Sequence, residues 1–497
     1  MNKIYGILLM CILAGSMNVW AEEVTVNAGG LEGAIKDKSI TQLKVNGSID
    51  ARDIKFIAEE MTAMTSLDLS GAKIEAYSSN ESLIAGETNF YANALPAYSF
   101  FDKEYKVVML PSTLKYVGEG ALAGCRTLET VSLPAELDSI GAYAYSACES
   151  ITTLALPASV KKVGEGAFSR CVALKSVDLS APGKCALGED VFANCIALES
   201  VMLGSNITSI PAGAFACCTV LSSVDFGGES KLESIGEDAF ISTSLRIFDF
   251  SLCPQLKVIG RWAFAGVKFE EVVLPDMVES LGEGAFFYNE SLKGVTLNEK
   301  VTEIKDLTLA GCSELVGRVK LSYDATRVGR YAFSDTQLTS VYMGHSLTSI
   351  GERAFENNTA IKEMSIETIE APALGEDVFD GIDQPNVRLN VVSDAVESYN
   401  TAEQWKEFYI VGDLSTLENV INTSDIKVYF EDCVLNVMAS ENISVVNVYE
   451  IGGVLLASRC AETMHVSIDM STMNGNLYIV TVKTSSGQYK TIKLVRQ

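Results

Sequence analysis

One spacing constrains this chain more than any other feature. An aliphatic residue followed by glycine, or by proline or lysine in its place, recurs at Gly118, Gly141, Gly164, Gly188, Pro211, Gly236, Gly260, Gly282, Lys305, Gly329, Gly351 and Gly375, every 22–25 residues. Pro96, within Leu95-Pro96-Ala97-Tyr98-Ser99-Phe100, fits as an earlier member. A fixed period in this range marks a stacked array. No unit can bury its own apolar face, and neighbours share one continuous core. The usual relation between length and domain number therefore fails for these 497 residues.

The rest of each unit keeps register with that anchor. A small residue and an aromatic follow, as in Ala167-Phe168, Ala214-Phe215, Ala239-Phe240 and Ala354-Phe355, and three residues on comes Cys125, Cys148, Cys171, Cys195, Cys218 or Cys312. Aliphatics at i, i+3 and i+5 then read as a strand: Leu128, Val131, Leu133; Leu174, Val177, Leu179; Leu198, Val201, Leu203. Several strands end in proline (Pro111, Pro134, Pro157, Pro275), where a ladder donor is no longer needed. The expected fold is an α/β repeat solenoid whose strands form one long parallel sheet at about 4.8 Å per repeat. About thirteen units would give a sheet roughly 60 Å long. The Gly-x-x-Ala-Phe segment reads as a turn into a short helical piece, with Phe in the core.

Ile-Gly-x-x-Ala-Phe-x-x-Cys-x-x-Leu-x-x-Val-x-Leu-Pro resembles the BspA-type leucine-rich repeat family of bacterial surface proteins, over about residues 91–383. The resemblance implies a leucine-rich-repeat coil and adhesion to host or matrix proteins. The unit at Lys305 departs most, with Thr308-Leu309 for Ala-Phe and altered spacing near Gly317, so a local distortion is expected there.

The flanks follow a different grammar. Residues 1–21 read as a signal peptide: Lys3, an apolar run from Ile7 to Ala14, then Val19-Trp20-Ala21 before Glu22 and Glu23. Met10 is bulky where a lipidation motif at Cys11 needs a small residue. Residues 22–90 are expected to cap the solenoid, with strands at Leu43–Val45 and Leu67–Leu69 around an amphipathic stretch, Ala51 to Met64. Residues 384–413, with Tyr399, Trp405 and Phe408, are expected to close the other end. Residues 414–497 alternate as strands and suggest a small antiparallel β-sandwich. That stretch resembles the sorting domain of the type IX secretion pathway at Ile443 to Gly453 and Asn476 to Lys493. It carries Phe430-Glu431-Asp432-Cys433 where that family has Pro-Asn-Pro, so a role in folding or attachment is an equal alternative.

Little in the sequence supports catalysis. The two histidines, His345 and His465, lie in different segments and can form neither a His-based triad nor a multi-histidine metal site. Gly-Glu-Gly-Ala at Gly118, Gly164 and Gly282 lacks the following Lys-Ser/Thr of a phosphate loop. No catalytic, cofactor-binding or metal-binding residue is assigned. The cysteines of the repeat read as a ladder of buried thiols used as small filler, with Cys185, Cys217 and Cys253 off it and Cys433–Cys460 the pair to check for a bridge. Glu119, Glu165, Glu189, Glu237, Glu283, Glu352 and Glu376 follow the anchor glycine. Such a row could bind cations, but Arg261 and Arg330 interrupt it, and glutamate also suits the first turn of a short helix.

A net charge of −26 argues against nucleic acid or anionic lipid as partner. Between the inner aliphatics of the strands sit outward residues, of which Asp178, Met202, Asp225, Asp249 and Tyr342 form the candidate binding face, behind a row of Thr and Ser. The expected function is an exported, non-enzymatic, monomeric binding protein, at the cell surface, associated with the outer membrane or secreted, that recognises proteins or glycoproteins through the solenoid face. Alternatives are a glycan-capture protein, which a clustered aromatic patch would support, and a structural surface-layer component.

Overall fold

The structure is a computed structural model that describes residues 20–414, 426–431, 434–450, 455–471, 477–485 and 489–495. The expected signal peptide, apart from Trp20 and Ala21, lies outside the described residues, as do Cys11 and Cys433. Two compact units are present. One comprises residues up to Met364 with Pro372–Val387; the other comprises Ser365–Ala371 and everything from Arg388.

In the first unit the chain coils once per period. Each regular coil contributes a three-residue strand at the Leu-x-x-Val-x-Leu site, and successive strands pair parallel and in register: Thr153–Ala155, Ser176–Asp178, Ser200–Met202, Ser223–Asp225. A second ladder runs through the aliphatic before the anchor, joining Leu95, Val117, Ile140, Val163 and Leu187. Its glycines are required by proximity. A Cβ on Gly188 would lie 2.4 Å from the Glu165 nitrogen of the preceding coil, and one on Gly164 equally close to that of Ala142.

The Gly-x-x-Ala-Phe segment is not helical, which corrects the expectation of a short helical piece. The residues two and six after each anchor sit in the left-handed region, for example Tyr143 (φ 53°) and Ala147 (φ 56°), then Gly166 (φ 54°) and Arg170 (φ 60°). This alternation turns backbone N–H groups outward along the stack rather than into i→i−4 bonds. Tyr143, Tyr145 and Ala147 donate to the carbonyls of Glu165, Ala167 and Ser169 one coil on, at 2.7–2.8 Å. Coils are thus fastened to each other along three flanks.

Inside, the repeat's aromatics form a column. Tyr145, Phe168, Phe192, Phe215, Phe240, Phe264 and Phe286 stack in that order with ring centroids 5.2–5.8 Å apart. Beside it runs the thiol ladder. Cys125, Cys148, Cys171, Cys195, Cys218 and Cys312 are buried and free. Each thiol donates to the carbonyl of the aromatic-site residue one coil back, as Cys171 does to Tyr145 (3.3 Å) and Cys195 to Phe168 (3.3 Å). Asn289 and Asn358 occupy the same position and make the same bond with their amides, to Phe264 (2.7 Å) and Phe333 (2.6 Å). The position is therefore a donor site, which reading it as apolar filler missed.

The strand ladder is interrupted between Thr130–Ser132 and Thr153–Ala155, and two coils depart further from the pattern. At Gly317 (φ 81°) a register shift marks the pairing of Val316–Lys320 with Gln337–Met343, where the altered spacing lies. Thr308 and Leu309 nevertheless fill the Ala-Phe places, fully buried. The second break was not anticipated. In the coil from Gly236 to Gly260 the strand is absent, and Phe250–Leu252 is a turn of 3-10 helix capped by Asp249. Leu245 follows Thr243 after two residues instead of three, and the run to Leu256 is lengthened. Phe248 and Phe250 stand where other coils have aliphatics, packing against Phe240 and Phe264 (centroids 5.2–5.7 Å). The bulk and shifted spacing end the sheet at Ser223–Asp225; pairing resumes between Glu271–Val273 and Gly294–Thr296.

Toward the N-terminus Glu22–Val26, Gln42–Ile49 and Ser66–Ile74 pair parallel, and Ser66–Ile74 pairs with Val107–Met109. The amphipathic stretch forms a helix, Ala51–Glu60. Asp50 accepts the Arg52 N–H (2.9 Å) and Asp53 accepts that of Asp50 (2.9 Å), a capping box. Asp53 also accepts the N–H groups of Gly29 (2.6 Å) and Leu31 (2.9 Å), tying the preceding loop to the helix start.

In the second unit Arg388–Val392 pairs parallel with Tyr409–Leu414. Tyr399 and Trp405 between them are fully buried, 5.3 Å apart edge to face, and Tyr399 Oη bonds Thr368 Oγ1 at 2.5 Å. The C-terminal module is antiparallel, built on one long strand, Val434–Glu450. Its first half pairs with Ile426–Glu431, its second with Leu477–Thr484, and Leu455–Asp469 runs along both. Register shifts between Met438 and Ile443 let the sheet curl around Val437, Val446, Val448, Tyr478 and Val480. Cys460 is an exposed free thiol.

Candidate binding face

Parallel in-register pairing lines up what each strand turns outward. Thr153, Ser176, Ser200 and Ser223 form one row, and Ala155, Asp178, Met202 and Asp225 the next. Together they floor a shallow open depression of about 470 Å³ across four strands. Met202, 36% exposed, is its apolar centre, flanked by a carboxylate on each side.

Those aspartates also have a structural task. Asp178 accepts the backbone N–H (2.9 Å) and hydroxyl (2.6 Å) of Ser180, and Asp225 accepts the N–H of Gly227 (2.8 Å). Each closes an Asx turn that ends its strand. Asp249 does the same to Ser251 (3.1 and 2.6 Å), from an irregular loop instead of the strand expected for it. The structure thus brings Asp178, Met202 and Asp225 together and leaves Asp249 off the sheet.

Tyr342 is more distant. It lies on Gln337–Met343, five coils beyond Asp225, or about 24 Å at the usual strand spacing. There the guanidinium of Arg318 sits 5.4 Å and the ammonium of Lys320 5.9 Å from its ring centre. Lys320 also pairs with Glu299 at 2.9 Å. Burial would raise the Glu299 pKa, but the Tyr323 N–H and Lys320 hold it below the usual carboxylate value. The outer face therefore has an acidic, hydroxyl-rich stretch and a separate cationic one.

The glutamates after the anchors pair across coils. Glu119 accepts from the Tyr98 phenol and Glu165 from that of Tyr143. Arg261 reaches Glu237 (3.2 Å) and Glu283 (3.6 Å), and Arg330 reaches Glu352 (2.8 Å). The arginines that interrupt the row are thus its counter-ions, and with no helix present the dipole argument for these glutamates falls away. Among the described residues no cluster of three or more His, Cys, Asp or Glu is arranged to hold a metal. No helix there is long and apolar enough to cross a membrane.

The family model that matches this coil is described as the BspA-type leucine-rich repeat region, in six copies across residues 93–186, 155–267 and 257–384. The chain belongs to the BspA-type leucine-rich repeat family. No curated protein sequence matches it. Among solved structures it is similar to a leucine-rich repeat protein from Bacteroides ovatus, at 20% identity and a TM-score of 0.54, covering 78% of this chain and 92% of that one. Weaker likenesses are to a leucine-rich cell surface protein from Faecalibacterium prausnitzii (22% identity, TM-score 0.31, 58% and 87% covered) and to the pneumococcal vaccine antigen PcpA (17%, 0.38, 67% and 82%). The first shares the fold of this BspA-type unit.

The outward-facing aromatics of the BspA-type coils, exposed or half-buried, escaped the sequence reading. Tyr98, Tyr143 and Trp262, each two residues after an anchor, lie over Gly120, Gly166 and Gly284 of the next coil, whose added Cβ would come within 2.4–2.6 Å of the ring. Trp262, Phe287 and Tyr288 form a chain of edge contacts (4.9 and 4.4 Å) beside Arg261. The signal was present in the second glycine of each Gly-Glu-Gly-Ala, which always follows a coil with an aromatic at that place.

Proposed function

We propose that this protein is exported and works without catalysis at the cell surface, binding proteins or glycoproteins through the outer face of its parallel sheet. The observation that carries the reading is the depression over Thr153, Ser176, Asp178, Ser200, Met202 and Asp225. It sets an apolar centre among hydroxyl and carboxylate acceptors on a rigid surface, as interface cores with polar rims do. Membership of a repeat family that forms extended binding scaffolds supports it. The C-terminal module would serve sorting or attachment.

The test is binding of purified residues 22–497 to immobilised extracellular-matrix glycoproteins, before and after removal of their glycans. Saturable binding that survives deglycosylation and weakens about tenfold or more in a Ser200→Arg/Met202→Glu variant is the expected result. No binding to any of them overturns the reading and leaves a structural surface-layer role, which self-association would reveal.

A further inference from the structure

A second depression, about 720 Å³ and open to solvent, lies near the start of the repeats. It forms where the hairpin Tyr77–Ser78/Asn89–Phe90 runs into the strand Ala94–Leu95 and its neighbour Tyr116–Val117. Its lining combines Tyr91 and Tyr116 with Glu87, Asn89 and Glu119. Tyr91 is 77% exposed and Tyr116 47%. The other tyrosines of these coils are used otherwise: Tyr98 and Tyr143 cover glycines and donate to glutamates.

Ala94 pairs with Tyr116, and the N–H groups of Lys115 (2.8 Å) and Tyr116 (3.3 Å) both donate to the Asn93 carbonyl. The backbone segments that carry the two tyrosines are thus bonded to each other. Glu119 gives one oxygen to the Tyr98 phenol, which fixes the carboxylate and leaves its second oxygen as an acceptor.

We propose that this depression binds neutral pyranosides. The apolar C–H face of a sugar ring would lie on Tyr91 and Tyr116, while Glu87 and Glu119 accept from its hydroxyls and the Asn89 amide donates. Three features select that ligand. An apolar wall with a few fixed polar groups is the usual make-up of a small-ligand site. Two carboxylates at the rim, on a chain of net charge −26, repel uronic, sialylated or sulfated glycans. Both tyrosines line an open depression, whereas recognition of an alkylammonium group needs aromatic walls around it.

The experiment is titration of the whole purified chain with neutral oligosaccharides (maltohexaose, cellohexaose, chitohexaose and mannohexaose), with heparin-derived hexasaccharide and a lysine-rich peptide as controls. Binding is read by calorimetry and by tyrosine fluorescence. At least one neutral series should bind, and Tyr91→Ala, an exposed position whose loss leaves the fold intact, should weaken it tenfold or more. Tyr116→Phe should keep the affinity and Ser200→Arg/Met202→Glu should not change it, so this site and the sheet face fail or succeed separately. Binding of none of the neutral sugars, binding indifferent to Tyr91→Ala, or binding of the lysine peptide alone would each overturn the proposal.

Discussion

The cysteines of the repeat show how one residue type meets two demands at once. The position must be small, because a neighbouring coil lies one strand spacing away, and it must donate, because the carbonyl behind it faces the core. Burial pushes the Cys125 and Cys312 thiols up from 9.0 to about 12, and Cys253 likewise. The buried Tyr105, Tyr145 and Tyr399 phenols shift in the same direction for the same reason. A raised pKa in the folded state means unfolded thiols ionise first as pH climbs. The stability these groups contribute is therefore whole below about pH 9 and drains away between pH 9 and 12. Urea midpoints should be level from pH 7 to 9 and then fall, and a level midpoint to pH 11 would contradict this. At pH 8 iodoacetamide should label the exposed Cys460 and half-exposed Cys217 quickly, and the ladder cysteines only after denaturation.

At the scale of the coil, large and small residues alternate along the stack. Gly166 needs its identity twice, for a φ of 54° and for the Tyr143 ring that an added Cβ would meet at 2.4 Å. Gly227 has a similar φ of 68° with nothing within 4 Å. Gly227→Ala should cost about 1–2 kcal/mol for the backbone alone, and Gly166→Ala clearly more. Combining Gly166→Ala with Tyr143→Ala should return part of the difference, a coupling read from a double-mutant cycle of urea midpoints. Equal costs for the two glycines would show that the ring contact does not matter. The coil itself was legible from sequence, since the anchor, the aromatic and the strand aliphatics all point inward at fixed spacing. The turn was not. Its left-handed residues include Tyr143, Arg170, Trp262 and Arg353, types that ordinarily signal nothing of the kind, held there by bonds to the next coil. Asp249 was misplaced for a related reason. Its outward position is correct by alternation, but one residue lost after Thr243 and two phenylalanines remove the strand beneath it.

For the whole molecule, what matters is that a stack has ends. Ser66–Ile74 occupies the edge of Val107–Met109, and the strands before it continue the same sheet outward. A chain beginning at Asn93 would leave that edge and the apolar core beside it open to pairing with another copy. Such a chain should elute from size exclusion as soluble aggregate while the full chain elutes as a monomer; a monomeric truncated chain would show that these strands are dispensable. The site was the least legible part at this scale. Asp178, Met202 and Asp225 follow from the strand pattern, but the depression around Tyr91 and Tyr116 joins a hairpin to two coils, and no periodicity relates its parts.

The three flanks of bonds between coils also have a mechanical meaning. Every bond that joins one coil to the next points along the stack, and the covalent chain crosses each boundary once. A load applied to the two ends of the first unit would therefore strip it turn by turn. Each turn would surrender about 23 residues, or roughly 80 Å of slack, before the next one took the strain. Under such a load the solenoid would lengthen in steps instead of giving way at once.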